Sequence, residues 1–337
     1  MGKQYIDKLR LGDQVSSCFA VASKQLAPYS TKSSKAGEEY LKVTLKDVTG
    51  TIDGRIWDNA LEFSALFDVD DIVFVEGTVT KFNGLQLMIH NLEYVAPESV
   101  DISDFVPSSK KSISEMAASL QELIDNIETR MIRLVLQDLF NSSFLTAFGA
   151  APGGRSIHHA YRGGLLEHTL EVAAIARHLC ALYPGLLNSD ILTAGAILHD
   201  VGKTLEYDLN SISFQLTDRG KLHGHLILGR DMLLRCTNNI EEFPQELEDE
   251  LGHMILSHHG CREWGSPELP KTAEAFALFH ADLISARLTQ AIGIINTARP
   301  SEKWTSWDRL LERSFFTPER QYTGLEESAS ASEPEQG

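Results

Sequence analysis

The sequence predicts a multidomain protein in which a small all-β barrel of the OB type is followed by an all-α helical bundle. A change in hydrophobic periodicity along the 337 residues supports this prediction. Between residues 14 and 95 apolar and polar residues alternate, as in half-buried strands. From Ser112 to about Leu311 apolar residues recur at i, i+3 and i+4, the spacing of amphipathic helices. Residues 97–110, with two prolines and four serines, have the composition of a linker.

The barrel region contains five predicted strands. The first is SSCFAVASKQ at residues 16–25, and the second, YLKVTLKD, alternates strictly between apolar and polar residues. The turn DVTG leads into the third strand, TIDGRIW. After a short helix near residues 60–67, DIVFVEGTVTKF and LQLMIHNLEYV flank Asn83-Gly84, a strong hairpin signal. Five strands with one short helix indicate a Greek-key barrel of the OB type.

The second and third strands should present cations beside aromatic rings on the outer face of the barrel. Such a face suits single-stranded nucleic acid, because bases stack on rings while cations follow the phosphates. The alternative is that the lysines only solubilise the strands and that the tryptophan packs under a loop. The residues concerned are Tyr40, Lys42, Lys46, Arg55 and Trp57.

We place four segments along the chain from these patterns. Residues 1–96 form the barrel, 97–110 the linker, 111–318 the helical domain and 319–337 an acidic, disordered tail. Within the helical domain, GAAPGGRS at 149–156 interrupts the helices.

The overall charge limits the partners that the protein can bind. A net charge of −17 argues against broad, charge-driven binding to nucleic acid. Much of the acid lies in EEFPQELEDE and in the tail, so a nucleic acid could still bind locally or with the help of a metal. No apolar run approaches the ~20 residues of a membrane helix, and we expect no membrane partner. No secretory signal precedes the barrel, and the cysteines form no CxxC motif, so we expect a cytoplasmic protein.

The helical region contains eleven of the twelve histidines, several beside Gly, Asp or another His. His168 falls in the first turns of a helix, and His199-Asp200 ends another, just before Gly202. We expect Gly202 to release the chain from that helix. His258 and His259 also fall at a helix end, where both can face one cleft.

Helical geometry sorts the remaining histidines, because side chains at very different angles cannot share a cavity. Of His223 and His225 only one can face the site, and of His280 and Asp282 the carboxylate is the better anionic ligand. His178 and His253 should lie elsewhere. A single histidine is more often structural than functional, but the joint pattern indicates a site for Zn, Mn, Fe or Co.

The ordered signature His168, His199-Asp200 and Asp282 resembles that of the HD-domain metal-dependent phosphohydrolases. Over residues 10–318 the chain is more closely similar to the YhaM-type family of 3′→5′ exoribonucleases, which joins an OB-type barrel to an HD domain. The similarity lies in HHAYRGGLLEHT, LHDVGK, GHLILG, ILSHHGCREWGSPELPKTAEA and HADLISARL.

The resemblance implies two divalent ions and the side chains that hold them. One ion would be bound by His168, His199, Asp200 and Asp282. Asp200 would bridge to a second ion, held also by His225, His258 and His259. Mn²⁺ is the expected metal, with Fe²⁺, Co²⁺, Ni²⁺, Zn²⁺ and Mg²⁺ as alternatives. No GYP follows His258-His259, which disfavours the cyclic-dinucleotide branch of HD enzymes.

Asp200 is the expected catalytic centre, because a bridging carboxylate would set the spacing of the two ions. Lys203 could contact a phosphoryl oxygen as a fixed cation, and the alternative is an exposed lysine after the helix. His159 and Arg162 could meet substrate phosphate near the cleft, although Arg162 could instead cap a helix or pair with a carboxylate.

These observations predict a cytoplasmic, divalent-metal-dependent 3′→5′ exonuclease that acts on single-stranded RNA, with single-stranded DNA as a second candidate substrate. The polarity and the preference for RNA come from the resemblance alone. Two alternatives stay open: an HD phosphohydrolase of small nucleotides with a regulatory barrel, and a nucleic-acid-binding protein with a structural metal site. The oligomeric state also stays open, with a homo-oligomer among the candidates.

Overall fold

The structure is a computed structural model, and it describes residues 2–29, 37–82, 84–154, 159–209, 211–296, 298 and 302–317. The predicted acidic tail at 319–337 lies outside the described residues, as does Asn83 of the predicted hairpin turn. Among the described residues, we find no helix with the length and hydrophobicity needed to cross a lipid bilayer.

Five strands close into a barrel in the order β1-β2-β3-β5-β4, which confirms the predicted OB-type barrel. All neighbouring strands are antiparallel except β3 and β5, which are parallel. The elements are β1 (Gln14–Pro28), β2 (Glu39–Asp47), β3 (Gly50–Ile56), α1 (Ala60–Ser64), β4 (Ile72–Lys81) and β5 (Leu85–Val95).

The barrel core follows from the alternation of the sequence. On β2, Leu41, Val43 and Leu45 point inward and are essentially inaccessible to solvent. The register sets Leu41 opposite Ile56 of β3, so the two strands bury matching faces. Outward residues of β2 are the polar and aromatic ones of the predicted binding face.

The second region is helical, which confirms the predicted bundle. Its helices are α2 (Ile113–Asp125), α3 (Arg130–Leu139), α4 (Ser142–Ala150), α5 (Gly164–Leu182), α6 (Ser189–Leu198), α7 (Lys203–Glu206), α8 (Asp218–Asn238), α9 (Gln245–Ser257) and α10 (Ala273–Asn296). Side-chain caps fix several of their starts: Ser112 accepts a hydrogen bond from Glu115 N, and Asn188 accepts from Asp190 N. Helices α5, α6 and α10 pack together over a shared apolar core.

The segment between barrel and bundle is packed rather than free. Residues 97–99 and 102–104 form short 3₁₀ turns, and Phe105 and Val106 are buried. These two side chains join a small apolar cluster whose other members come from both regions, among them Ala20, Ile72, Ile212 and Phe214. The barrel and the bundle therefore share a core.

A polar contact reinforces this joint. Asp70, at the entry to β4, accepts hydrogen bonds from the side chains of Ser213 and Gln215, with 2.6 Å between Ser213 Oγ and Asp70 Oδ2. The Gln215 and Ser213 side chains belong to the loop that precedes α8. The barrel is thus fixed to the segment that leads into a helix of the candidate site.

Candidate metal centre and nucleic-acid interface

The seven side chains expected from the resemblance to bind metal lie together in the bundle, and five of them line one pocket. Helix ends deliver four of them: His199 and Asp200 follow α6, and His258 and His259 follow α9. The helices α5, α8 and α10 supply the other three, His168, His225 and Asp282. Other histidines of the same helices lie outside this group: His178 and His223 are exposed, and His253 accepts a hydrogen bond from Lys271 N.

Gly202 does not act as the sequence suggests. Its φ is −62°, so it does not use the left-handed conformation that releases a helix. A Cβ at this position would lie 2.0 Å from the carbonyl oxygen of His225 and 2.6 Å from Gly229 N. The glycine is required because the start of α7 packs directly on the backbone of α8, and this close approach brings His225 towards Asp200.

A glycine also explains why His225, rather than His223, faces the site. Gly224 adopts φ 69° and ψ 161° inside α8, a non-helical conformation that kinks the helix. His225 follows the kink and turns inward, while His223 precedes it and stays exposed.

One group of ligand-type atoms surrounds Asp200 Oδ2. This oxygen lies 3.3 Å from His199 Nε2 and 3.8 Å from His168 Nε2. The two imidazole nitrogens are 3.3 Å apart, and His168 Nε2 is 3.0 Å from Asp282 Oδ1. Side chains of this group can thus meet around a single small ion.

A second group faces the other oxygen of the same carboxylate. Asp200 Oδ1 lies 3.5 Å from His225 Nε2 and 3.6 Å from His258 Nε2. His225 Nε2 is in turn 3.3 Å from His259 Nε2. Potential ligand atoms of His225, His258 and His259 also lie close enough together to hold an ion.

The hydrogen bonds of four of the five imidazoles favour the tautomer that binds a cation. The Nδ1 atoms of His199, His258 and His259 each lie 2.8 Å from a backbone carbonyl oxygen, to which only an N–H can donate. His225 Nδ1 lies 3.1 Å from the carboxylate of Glu206. With the proton on Nδ1, the inward Nε2 atoms keep their lone pairs, as metal-binding histidines do.

Asp200 Oδ1 provides an independent test of whether a metal fits. This oxygen is buried and accepts no hydrogen bond from any described residue. Lys203 pairs with the other oxygen of this carboxylate, and a buried Oδ1 without a donor is unfavourable unless a further ligand, such as a metal ion, contacts it. Neutral imidazoles and carboxylates are ligands of divalent transition metals, so the residues present fit such ions.

The pKa values of Asp200 and of three imidazoles are shifted towards the protonation states that bind metal. Burial lowers the pKa of His168 and His258, and burial together with the neighbouring imidazoles lowers that of His259 to about 3. Burial alone would raise the pKa of Asp200, but Lys203 and His199 outweigh it and hold that pKa well below its usual value. The pKa of His199 is raised instead, because Asp200 outweighs the effect of burial.

Three residues that support the ligands were missed in the sequence. Glu206 holds His225, while Ser285 Oγ lies 3.1 Å from His168 Nδ1 and donates to Glu171 Oε2 at 2.8 Å. Two signals could have found Glu206 and Ser285. Glu206 lies shortly after the His-Asp pair, and Ser285 lies three residues after Asp282, on the same side of α10.

Lys203 lies beside Asp200 and lines the same pocket. Its Nζ donates to Asp200 Oδ2 at 2.6 Å and to the carbonyl oxygen of Gly153 at 2.5 Å. The side chain is 12% exposed, so it is a largely buried cation rather than a solvated lysine. Its predicted contact with substrate phosphate stays a prediction.

His159 and Arg162 do not line this pocket. His159 is buried behind His168, with Nε2 3.3 Å from Glu171 Oε2 and Nδ1 2.8 Å from the Tyr161 hydroxyl oxygen. The Arg162 backbone pairs with residues 107–109 of the connecting segment. Their predicted contact with substrate phosphate stays a prediction.

On the barrel, four of the five predicted face residues lie together. The rings of Tyr40 and Trp57 stack with centroids 4.6 Å apart, and Tyr29, which the sequence analysis missed, adds a third ring 5.7 Å from Trp57. Lys42 and Arg55 are paired across β2 and β3. Two cations therefore share the outer face of β2 and β3 with Tyr40 and Trp57, and Arg55 Nη2 lies 3.5 Å from Asp53 Oδ2.

Lys46 lies elsewhere, although it shares the outer face of β2. Its Nζ is 3.8 Å from Asp70 Oδ1, and the side chain lines a groove with Ser213, Gln215 and Lys221 at the joint with the bundle. Period-two alternation fixes which face a residue occupies but does not show what covers that face.

Two family models match the chain. Residues 22–95 match the OB-fold nucleic acid binding domain, and residues 165–287 match the HD domain. HD domains are metal-dependent, in agreement with the His/Asp groups of the pocket.

Comparison with curated proteins gives relatives over most of the chain. The 3′-5′ exoribonuclease YhaM of Geobacillus sp. (strain WCH70) is 30% identical over 284 residues, which cover 84% of this chain and 86% of that protein. The 3′-5′ exoribonuclease YhaM of Shouchella clausii (strain KSM-K16) is 32% identical over 319 residues, covering 92% and 95%.

Among solved structures, the second OB-fold domain of replication protein A from Methanococcus maripaludis is 21% identical and covers 28% of this chain and 95% of its own, with a TM-score of 0.23.

Proposed function

The chain belongs to the YhaM family of 3′-5′ exoribonucleases, and on this basis we propose a separate role for each of its two domains. The protein is a hydrolase, a metal-dependent exonuclease of single-stranded RNA. The barrel holds the strand, and the pocket of the bundle cleaves its 3′ end. This proposal depends on one observation: two groups of potential metal ligands face the two oxygens of Asp200.

The pocket would hold two divalent ions. His168, His199 and Asp282 would bind one, and His225, His258 and His259 the other, with Asp200 shared between them. Mn²⁺ is the metal that we expect, with Fe²⁺, Co²⁺, Ni²⁺, Zn²⁺ and Mg²⁺ as alternatives. When bound, such a pair activates water and stabilises the charge that develops on the phosphoryl oxygens.

The protein's own residues prepare the site for this chemistry. Asp200 separates the two groups of ligands, and the hydrogen bonds on Nδ1 keep each imidazole in the orientation and tautomer that binds metal. Lys203 is held between Asp200 and Gly153 at the edge of the pocket. From there its ammonium group can pair with a phosphoryl oxygen of the bound strand and with the charge that grows on it.

The barrel face would hold the strand by stacking and by local charge. Tyr29, Tyr40 and Trp57 would offer rings to the bases, and Lys42 and Arg55, on the same face of β2 and β3, would contact the phosphates. Because stacking does not depend on the identity of the base, single-stranded DNA is the second substrate that we expect. The net charge of −17 disfavours binding of the strand away from such local groups of cations.

We propose domain limits of 1–96 for the barrel and 111–318 for the HD domain, joined by residues 97–110. The two family matches fall inside these limits.

The four cysteines are free thiols, which suits the reducing cytoplasm in which we expect the protein to work.

Labelled RNA with a free or a blocked 3′ end tests this function, with Mn²⁺ or with EDTA present. We expect stepwise release of mononucleotides from the free end only, and only with the metal. Turnover of small nucleotides but not of RNA would instead support the phosphohydrolase alternative. Absence of turnover with every divalent metal would support a binding protein with a structural metal site.

A further inference from the structure

The metal pocket has an outer wall that the proposed chemistry does not use. The pocket has a volume of about 280 Å³. Besides the histidines and carboxylates, it is lined by Trp264, Phe279, Arg287 and Leu310. Trp264 belongs to the 3₁₀ turn 262–264 that follows His259, and Arg287 belongs to α10, five residues after Asp282. Phe279 and Arg287 thus lie on the helix that supplies Asp282, Trp264 lies just after His259, and Leu310 belongs to the last described segment.

Trp264 is fixed with respect to the ligands, yet its side chain is open to solvent. Its carbonyl oxygen accepts a hydrogen bond from His259 Nδ1 at 2.8 Å, so the backbone of the tryptophan and the imidazole cannot move independently. The side chain is nevertheless 48% exposed. A large ring left half exposed in a pocket wall provides a surface on which a planar group can stack.

Arg287 adds a cation that forms no ion pair with any residue that the structure describes. Its guanidinium carbon lies 5.6 Å from the centroid of the Trp264 ring, and Nη1 donates to the carbonyl oxygen of Leu310 at 3.2 Å. None of the ion pairs among the described residues involves Arg287. A guanidinium group that is positioned by a ring and a carbonyl, and that has no carboxylate, is well suited to bind phosphate.

We propose that Trp264 and Arg287 form the subsite for the 3′-terminal nucleotide of the strand. The base stacks on the exposed part of the Trp264 ring, and the guanidinium group of Arg287 binds a backbone phosphate oxygen next to the scissile bond. The volume of the pocket is close to the lower end of small-molecule sites, which suits one nucleotide. Stacking makes the subsite tolerant of all four bases. This inference rests on the proposed exonuclease function.

Two 5′-labelled RNAs that differ only at the last position test the subsite: one ends in an ordinary nucleotide and the other in an abasic one. For the unmodified protein we expect kcat/KM for release of the last unit to be about tenfold lower on the abasic RNA, which corresponds to ~1.4 kcal/mol and lies in the range measured for base stacking. Trp264→Ala should lose about tenfold on the ordinary RNA and show less than a twofold difference between the two RNAs.

Two further variants separate the roles of the ring and the cation. Trp307→Ala is the matched control, because Trp307 is 65% exposed and does not line this pocket, and it should behave like the unmodified protein. Arg287→Ala should lower kcat/KM about equally on both RNAs, because both contain the phosphate. Thermal melting checks that each variant is folded, and Trp264→Phe, which keeps a ring, should retain part of the preference for the ordinary end.

A binding measurement provides a readout that does not depend on turnover. An RNA with 2-aminopurine at its 3′ end should lose fluorescence on binding to Asp200→Asn and keep it on binding to Asp200→Asn/Trp264→Ala. An equal penalty for the abasic end in the unmodified protein and in Trp264→Ala would overturn the subsite, as would equal rates of the unmodified protein on both RNAs. If the unmodified protein shortened neither RNA, the proposed function itself would fall.

Discussion

Glu206 holds His225 at two points. Glu206 Oε1 accepts a hydrogen bond from the His225 backbone N–H at 3.0 Å, and the Nδ1 of the ring lies 3.1 Å from each carboxylate oxygen. Both contacts fix the direction in which Nε2 faces Asp200. Partners of this kind raise the affinity of a histidine for metal.

We therefore expect Glu206→Ala to reduce metal affinity or activity by about 10- to 100-fold. Hydrolysis rates measured over a series of Mn²⁺ concentrations should show the loss mainly as a higher metal requirement. Glu206→Gln should lose less, because its amide oxygen can still accept from Nδ1. Glu246→Ala, an exposed residue of α9, is the control and should leave the Mn²⁺ dependence unchanged.

Asp200→Ala should abolish hydrolysis, by about 10³-fold or more, because one side chain serves both groups of ligands. RNA affinity measured by fluorescence anisotropy should stay within about twofold, since the barrel face is built from separate residues. Activity close to that of the unmodified protein would refute the assignment of the site.

Trp57→Ala should weaken the binding of single-stranded RNA about 5- to 150-fold, the range that corresponds to ~1–3 kcal/mol of stacking. Trp57 stacks on Tyr40, so the variant also loosens the neighbouring ring. Binding is measured with EDTA present, so that no strand is shortened. Trp304→Ala, an exposed tryptophan of the last described segment, should bind RNA normally, and an equal loss there would argue against the barrel face.

Lys42 and Lys46 lie on the same face of one strand but should differ in their contribution to binding. Lys42→Ala should reduce the slope of log affinity against log salt by about 1, as expected for one lost phosphate contact. Lys46→Ala should change the slope little, because Lys46 lies near Asp70 at the joint between the domains. Equal slopes in the two variants would show that the bound RNA also crosses the joint between the domains.

Gly202→Ala should destabilise the protein by about 1–3 kcal/mol or more, because the added Cβ would lie 2.0 Å from the carbonyl oxygen of His225. Activity should fall with stability, since the clash separates α7 from α8 at the site. Gly293→Ala is the matched control: it lies in α10 with nothing within 4 Å of the added Cβ, and helix propensity should make it neutral or slightly stabilising. Thermal melting of the two variants compares them directly.

The sequence predicts the elements of the fold well because periodicity reports on local backbone geometry. It is less informative where burial comes from the other domain. The first strand was predicted at residues 16–25, whereas β1 spans Gln14–Pro28. Ala20 breaks the strict alternation because it packs in the shared cluster with Phe105. No pattern within a strand distinguishes this burial from burial inside the barrel.

The site shows the same limit. Helix ends and spacing single out His199, Asp200, His258 and His259, because these depend on local structure. Glu206 and Ser285 support residues 19 and 117 positions away in sequence, and such contacts depend on how helices pack. Gly202 was recognised as significant, but for the wrong reason, since its function is close packing rather than a turn.

The apolar joint built on Phe105 and Val106 connects the proposed RNA-binding face of the barrel to the proposed catalytic pocket through a shared core. A flexible linker between the domains would let the pocket follow the RNA down to its last nucleotides. With a rigid connection, RNA that has become too short to reach both the barrel face and the pocket would be released. Digestion should therefore leave a remnant whose length is the same for every starting RNA.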